Sequence, residues 1–280
     1  MHTHISKVII ITNILIVGNY AKSEKLWSKL LSRTRKKLGE SHPHTLLTMN
    51  NLALAYDNQG KYRDAEVLFK QILDKKKVVL GESHSDTLDT MNNLAFSYDN
   101  QGKYSDAEVL YKQCLDKRKA ALGESHPDTL GTMNNLAATY HHQGKYRDAE
   151  VLYKQCLDKQ KVILEENHPS TLNTMSGLAN NYVRQGKYRD AEVLYKRCLD
   201  KRKALLGENH PDTLRTMNDL AATYDQQGKY RDAEVLYKQC LDMTSIVLGE
   251  NHPATLNTMG NLAVTYDGQG KYRDAEVLYK

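Results

Sequence analysis

The sequence has little of what marks a membrane protein or a nucleic-acid binder. No apolar run approaches the roughly 20 residues that a transmembrane helix needs. The candidate, residues 8–17, is short and is interrupted by Thr12 and Asn13. The formal net charge is only +5 and is spread along the chain, which is too mild to favour nucleic acid or an anionic membrane surface. We therefore expect neither nucleic acid nor a membrane among its partners.

Signatures of catalysis are also missing from the sequence. It contains no nucleophile elbow, no metal-binding signature and no phosphate-binding Gly-x-x-x-x-Gly-Lys-(Ser/Thr) segment. We therefore expect no enzyme activity, no cofactor and no metal ion.

The cysteines are too regularly spaced for a disulfide framework. Four cysteines, at positions 114, 156, 198 and 240, follow one another at intervals of 42 residues, and the equivalent earlier position holds Ile72. This spacing indicates one apolar packing position in each structural repeat, since free cysteine behaves as a small hydrophobe. Reduced thiols favour a cytoplasmic location.

A 42-residue repeat dominates the rest of the chain. The segment Gln-Gly-Lys-Tyr-x-Asp-Ala-Glu-Val-Leu-(Phe/Tyr)-Lys begins at residues 59, 101, 143, 185, 227 and 269. The repeats are therefore expected at 42–83, 84–125, 126–167, 168–209, 210–251 and, truncated, 252–280. Residues 1–41 are interpreted as a degenerate N-terminal repeat, because Trp27 falls where Phe69 falls later. A signal peptide is the alternative for the first residues, but no small-x-small cleavage site follows Lys7.

Each repeat carries two helical periodicities. Met49, Leu52, Ala53 and Tyr56 recur at the spacing of one helix face, and the residues from Ala65 to Leu73 form a second such face. Helix A is predicted at about 43–58 and helix B at about 61–80. Because neither helix can bury its apolar face alone, the pairs must stack on one another. We expect an all-α fold, a right-handed superhelical solenoid of stacked antiparallel helix pairs.

Two departures from the repeat predict local irregularity. Glu165 stands where other repeats have glycine at the end of helix B, which implies about 1 kcal/mol of strain or a changed loop. Ser85 stands where most other repeats have proline at the start of helix A.

The repeats resemble a known family. Leu52-Ala53-x-x-Tyr56, followed by Ala65 and Phe69, resembles the tetratricopeptide repeat. The repeat length and segments such as His126-Pro127-Asp128-Thr129-Leu130 are similar to the kinesin light chain subtype. The resemblance implies a non-enzymatic scaffold that binds peptide segments in a concave groove, with a kinesin or microtubule motor complex as one possible partner. A sensor array of an NTPase-type signalling protein is the alternative, and a helical-repeat nucleic-acid binder is a weaker one. The chain shows neither a heptad coiled coil nor a phosphate-binding loop.

The groove is expected to be lined by helix A. Opposite its core face stand residues 47, 50, 51, 54, 57 and 58, and two of these positions vary between repeats, which suggests freedom to suit a ligand. An amide side chain can both donate to and accept from a peptide backbone, although asparagines could instead bond neighbouring helices or water. The candidate peptide-binding residues are Asn50, Asn51, Asn92, Asn93, Asn134, Asn135, Asn218, Asn261, Leu54, Phe96, Asp99, Asn180 and Arg215. The resemblance supports the first asparagine of each pair, and Ser176-Gly177 and Gly260 interrupt the series.

Charge on this face is expected to be mainly negative. The aspartates are Asp57, Asp89, Asp99, Asp225 and Asp267, against Arg184 and Arg215. They predict a preference for basic and apolar peptides. Five of the histidines precede a proline in a loop, and the pair His141-His142 has no evident further metal ligands.

The end of the sequence suggests a further partner. It stops at Lys280 inside a predicted helix B, and a solenoid needs a capped end. We therefore expect either a fragment of a longer chain or end-to-end self-association.

Overall fold

The computed structural model describes residues 20–279 and, within that range, contains helices and short loops but no strand. The helices are α1 (Tyr20–Leu38), α2 (Pro43–Asp57), α3 (Tyr62–Leu80), α4 (Ser85–Asn100), α5 (Tyr104–Leu122), α6 (Pro127–His142), α7 (Tyr146–Ile163), α8 (Pro169–Arg184), α9 (Tyr188–Leu206), α10 (Pro211–Gln226), α11 (Tyr230–Leu248), α12 (Pro253–Gly268) and α13 (Tyr272–Tyr279). The predicted helices A and B of the repeat are confirmed by α2 and α3. The apolar run at 8–17 lies outside the described residues.

Helix A begins at a histidine cap that the sequence did not suggest. His42 Nδ1 accepts a hydrogen bond of 3.2 Å from the backbone N–H of His44, and the equivalent histidine precedes every later helix A. Helix α4 begins at Ser85 instead of proline, yet His84 Nδ1 accepts the same bond at 3.2 Å. The irregularity expected at Ser85 is therefore wrong, because the cap rather than the proline defines the helix start.

The irregularity expected at Glu165 is confirmed. Glu165 adopts a φ of 69°, the only positive φ at a non-glycine residue in the part of the chain that the structure describes. Helix α7 ends at Ile163, whereas the equivalent α9 runs one residue further, to Leu206. Glu165 thus keeps the positive φ of the glycine that it replaces, at the strain cost that a side chain carries there, while the helix cap moves back to Leu164.

The chain forms two compact units, Met1–Gln143 and Gly144–Lys280. Within each unit, every helix packs against the next one along the chain, so that helix pairs stack in sequence order. In the N-terminal unit, Trp27 of α1 is 1% exposed and joins a core that continues through Met49 and Phe69 to Leu94. In the C-terminal unit, Met175, Ala191 and Tyr195 are equally buried. Small and large residues alternate at the same positions in both units, as the repeat requires.

The four cysteines confirm their predicted packing role. All are free and buried, and the Cys114 thiol donates to the backbone carbonyl of Leu88 at 3.4 Å. Burial raises the pKa of the Cys156 thiol to about 11, which keeps it protonated at neutral pH. No part of the packing brings two of these thiols together.

A charged network joins successive helix pairs and accounts for the repeated Gln-Gly-Lys-Tyr segment. Glu66 accepts hydrogen bonds from Lys70 and Lys103, both at 2.7 Å, and from Gln101 at 3.0 Å. Both lysines lie over the ring of Tyr98. Although partial burial opposes it, these donors lower the pKa of Glu66 to about 2. The C-terminal unit repeats the network around Glu150, Glu192 and Glu234. Glutamine, lysine and glutamate therefore recur because they connect one pair to the next.

Two classes of feature are not found among residues 20–279. No helix there is both long and apolar enough to cross a bilayer. No three His, Cys, Asp or Glu side chains in the same range come together as metal ligands.

Candidate functional site

The A helices present one side to solvent in each unit. We call this side the first A-face on α2, α4 and α6, and the second A-face on α8, α10 and α12. In α2 and at its C-cap, the exposed or half-buried positions include 47, 50, 51, 54 and 58, as the helical period predicts. Asp57 was expected with them but is buried, so that part of the prediction is wrong. The next helix pair covers this position: Ser97 of α4 lies near the Asp57 carboxylate, and its hydroxyl donates to the Tyr62 carbonyl at 3.3 Å.

A cleft of about 390 Å³ opens on the first A-face between α2 and α4. Its polar lining includes the predicted asparagines Asn50, Asn92 and Asn93. Leu47 and Val79, which are 48% and 51% exposed, supply apolar surface beside them. The cleft therefore offers an aliphatic surface flanked by amide donors and acceptors, the combination found in sites that hold a side chain and its backbone.

The asparagines are also bonded to one another across successive repeats. Asn135 donates to Asn92 Oδ1 at 3.5 Å in the N-terminal unit, and Asn261 donates to Asn218 Oδ1 at 3.4 Å in the C-terminal unit. Thr258 also donates to Asn218 at 3.3 Å. These distances are at the long limit for hydrogen bonds. These weak bonds hold the asparagines of successive repeats in place. A peptide backbone could replace the bonds at a modest cost in free energy. Of the remaining predicted asparagines, Asn51 and Asn134 are both half-buried.

The other predicted contact residues are distributed over both faces. Phe96 is 47% exposed on the first A-face, and Leu54 is half-buried there. On the second A-face, Asn180 accepts a hydrogen bond of 2.7 Å from the Tyr195 hydroxyl. Arg215 donates to Asp212 at 2.8 Å. Asn180 and Arg215 therefore keep internal partners, whereas Phe96 offers a free apolar surface.

The expected negative charge is largely absent from the first A-face. Asp99 is buried like Asp57, and its carboxylate lies 2.8 Å from His142 Nδ1. The hydrogen bond to Asp99 raises the pKa of His142, and burial raises the pKa of Asp57 to about 6. The exposure expected of these two aspartates is wrong, because the following helix pair covers them. His142 serves this ion pair, and no further ligands surround it.

Asp89 lies at the surface, and its carboxylate is paired with a buried arginine. Arg118 of α5 is 5% exposed, and its guanidinium donates to Asp89 Oδ1, to the Asp128 carbonyl at 2.8 Å and to Thr132 Oγ1 at 2.7 Å. The C-terminal unit repeats the arrangement, with Arg202 donating to Asn173 Oδ1 at 2.7 Å. Sequence reasoning missed these arginines. The available signal was the constant spacing of 29 residues between the two members of each pair.

The second A-face contains a carboxyl group that sequence reasoning also missed. Asp219 occupies the position of Asn51 and Asn93, and burial raises its pKa to about 6 against the opposing charges of Arg215 and Arg202. One repeat earlier, the same position is Gly177, where an added Cβ would lie 2.8 Å from the Tyr153 ring. The interruption at Gly177 therefore follows from packing, since the tyrosine fills that space.

The comparisons with known proteins agree with this geometry. The tetratricopeptide repeat matches residues 12–77, 86–162, 128–204, 171–246 and 236–280. A Podosopora anserina structure described as a kinesin light chain with nearly identical TPR-like repeats is 25% identical, with a TM-score of 0.60, covering 71% of this chain and 94% of that one. BtubC (BKLC) from P. vanneervenii is 22% identical, with a TM-score of 0.67 and coverage of 84% and 94%. NprR, in complex with its cognate peptide NprX, is 16% identical, with a TM-score of 0.67 and coverage of 98% and 75%. The last two show the fold alone, and no curated protein matches.

Proposed function

Because the chain belongs to the tetratricopeptide repeat family, we propose that it is a protein-interaction scaffold that binds extended peptide segments on its A-faces. The observation that carries this proposal is the cleft on the first A-face, where Asn50 and Asn92 flank exposed apolar surface.

The cleft suits one aliphatic side chain of a guest peptide. Leu47, Val79 and Leu80 remain 48%, 51% and 36% exposed, and all three line the same cleft. Covering them recovers roughly 25 cal/mol for each Å² of apolar surface removed from water. The amides of Asn50 and Asn92 can then bond the backbone on either side of that side chain.

The charges of the cleft favour apolar and uncharged polar peptides over strongly basic ones. Lys76 donates to the backbone carbonyl of Asp86 at 2.9 Å, and both residues line the cleft, so their opposite charges lie close together. Asp89 is paired with Arg118. The basic preference expected from the sequence depended on five aspartates, two of which, Asp57 and Asp99, are buried.

The similarity to a kinesin light chain with nearly identical repeats supports a narrower proposal, that the guest is part of a cargo carried by a motor complex. NprR in complex with its peptide shows that a related fold can hold a peptide, and that peptide belongs to NprR. The peptide-binding scaffold is the broader statement and the one to test first.

A displayed library of extended peptides tests the proposal directly. We expect the wild-type chain to enrich peptides with an aliphatic residue, and Asn50→Ala with Asn92→Ala to lose that enrichment. Asn100→Ala is the matched control, because Asn100 is exposed at the end of α4 and does not line the cleft. Equal enrichment by the double variant and the control would refute the cleft as the site. Enrichment of no peptide by the wild-type chain would refute the scaffold function.

A further inference from the structure

Helix B contributes a buried residue to the A-face in several repeats. Lys76, Arg118, Arg202 and Thr244 occupy one position in helix B, and the first three direct their polar end toward helix A. Arg118, Arg202 and Thr244 are 5%, 2% and 2% exposed. Such a position is normally apolar, because burying a charge is costly unless it is paired.

In three of the five complete repeats the surface residue suits the buried one, whereas in the other two Leu47 stands with Lys76 and Gly131 with Gln160. Where the buried residue is Arg118 or Arg202, the surface residue is an oxygen acceptor, Asp89 or Asn173. Where the surface residue is the cation Arg215, the equivalent buried residue is the uncharged Thr244. In the repeats of Arg118 and Arg202 the two positions therefore act as a bonded pair.

We infer that Arg118 is a positioning residue that sets the charge selectivity of the first A-face by holding and neutralising Asp89. This inference rests on the proposed peptide-binding function and names the selection that the cleft makes. Arg118 is fixed by Thr132 Oγ1 at 2.7 Å and the Asp128 carbonyl at 2.8 Å. Its Nη2 donates to one oxygen of Asp89. Asp89 thus offers its other oxygen as an acceptor, without a net charge that would attract basic peptides.

The charged groups around Asp89 support the role of Arg118 in neutralising its carboxylate. Asp86 and Asp128 are the acidic groups that act on its carboxyl, and Lys76 and Arg118 are the basic ones. Burial raises the pKa of Asp89, whereas Arg118 and Lys76 lower it. Asp86 and Lys76 line the cleft with opposite signs. Removal of Arg118 alone therefore adds one uncompensated negative charge beside the cleft.

The chain itself supplies the variants for the test. Arg118→Gln installs the residue that Gln160 places at the equivalent position, and Asp89→Asn installs the equivalent of Asn173. We expect Arg118→Gln to increase the affinity for lysine-containing peptides relative to their norleucine counterparts by about fivefold, the effect of one charge at about 4 Å in a water-like medium. The double variant Asp89→Asn/Arg118→Gln should lose this preference. A purely structural arginine would affect both variants alike, so an equal lysine preference in the two would overturn the inference.

A peptide-independent measurement separates this inference from the proposed function. Cationic and anionic nitroxide probes relax nearby amide protons according to the local potential. At the side-chain amide of Asn92, we expect the ratio of relaxation by the cationic probe to relaxation by the anionic probe to be higher in Arg118→Gln than in the wild-type chain. The double variant should restore the wild-type ratio. An unchanged ratio in Arg118→Gln would overturn the inference even if no peptide binds, whereas the expected change without peptide binding would count only against the scaffold function.

Discussion

Replacing Asp219 with asparagine should stabilise the chain at neutral pH and not in acid. Burial raises the pKa of this carboxyl from 3.8 to about 6, and the nearby charges of Arg215 and Arg202 offset only part of that effect. A carboxyl whose pKa is raised on folding adds stability below its unfolded pKa and loses that contribution as the pH rises through its folded pKa. At 1.36 kcal/mol for each pKa unit, the ionised group costs up to about 3 kcal/mol above pH 6.

The chain shows that asparagine is tolerated at this position. Asn51, Asn93 and Asn261 are the equivalent residues, and Asn261 bonds Asn218 at 3.4 Å. Asp219→Asn removes the ionisation without changing the size of the side chain. We therefore expect the free energy of unfolding to rise by about 1–3 kcal/mol at pH values above 6, and to change little near pH 4, where the wild-type carboxyl is largely neutral.

Urea unfolding followed by circular dichroism at the two pH values measures this difference, provided that the dependence on urea concentration stays unchanged. Asn93→Asp is the matched control, because it introduces the same group at the equivalent position of α4 and should lower stability only at neutral pH. Stabilisation of equal size at both pH values would refute the reasoning, since an ionisation penalty cannot persist where the group is protonated.

Three further predictions concern packing and backbone. Gly177→Ala should destabilise the chain by about 1–3 kcal/mol, because the new Cβ would meet Tyr153 at 2.8 Å. A Cβ at Gly260 would meet nothing within 4 Å, so Gly260→Ala should stabilise the chain by about 0.5–1 kcal/mol. Thermal unfolding compares the two variants, and losses of stability of equal size would contradict the packing argument. Glu165→Gly should raise stability by about 1 kcal/mol, since the φ of 69° suits glycine, and urea unfolding that shows a decrease would mean that the loop is not strained. The buried thiols, with the pKa of Cys156 raised to about 11, should react with a thiol reagent only after unfolding, and labelling of the folded chain at the rate of free cysteine would disprove their burial.

The fold could be predicted because its information is local and repeated. Met49, Leu52 and Ala53 define one face of a helix from spacing alone, and recurrence every 42 residues shows that the faces stack. The same spacing could place Asn50 and Asn92 on the exposed side, where the structure has them half-buried and lining the cleft.

The rest of the site depended on contacts between helices. A helical period treats Asp57 as exposed, because it says nothing about the helix pair that covers that residue. The bond from Arg118 to Asp89 joins residues 29 positions apart on different helices, and no periodicity within one helix indicates it. The histidine caps were missed for a different reason, since histidine is not among the preferred capping residues.

The glutamate networks have a mechanical consequence. In Glu66, one carboxylate oxygen bonds Lys70 on the same helix, and the other bonds Lys103 and Gln101 of the following pair. Detaching that pair breaks the outer bonds and leaves the inner one intact, so the glutamate keeps a cation beside it at each stage. When force is applied to its ends, the helical array should therefore unfold in discrete steps of one helix pair. Each pair should repack readily when the force is released.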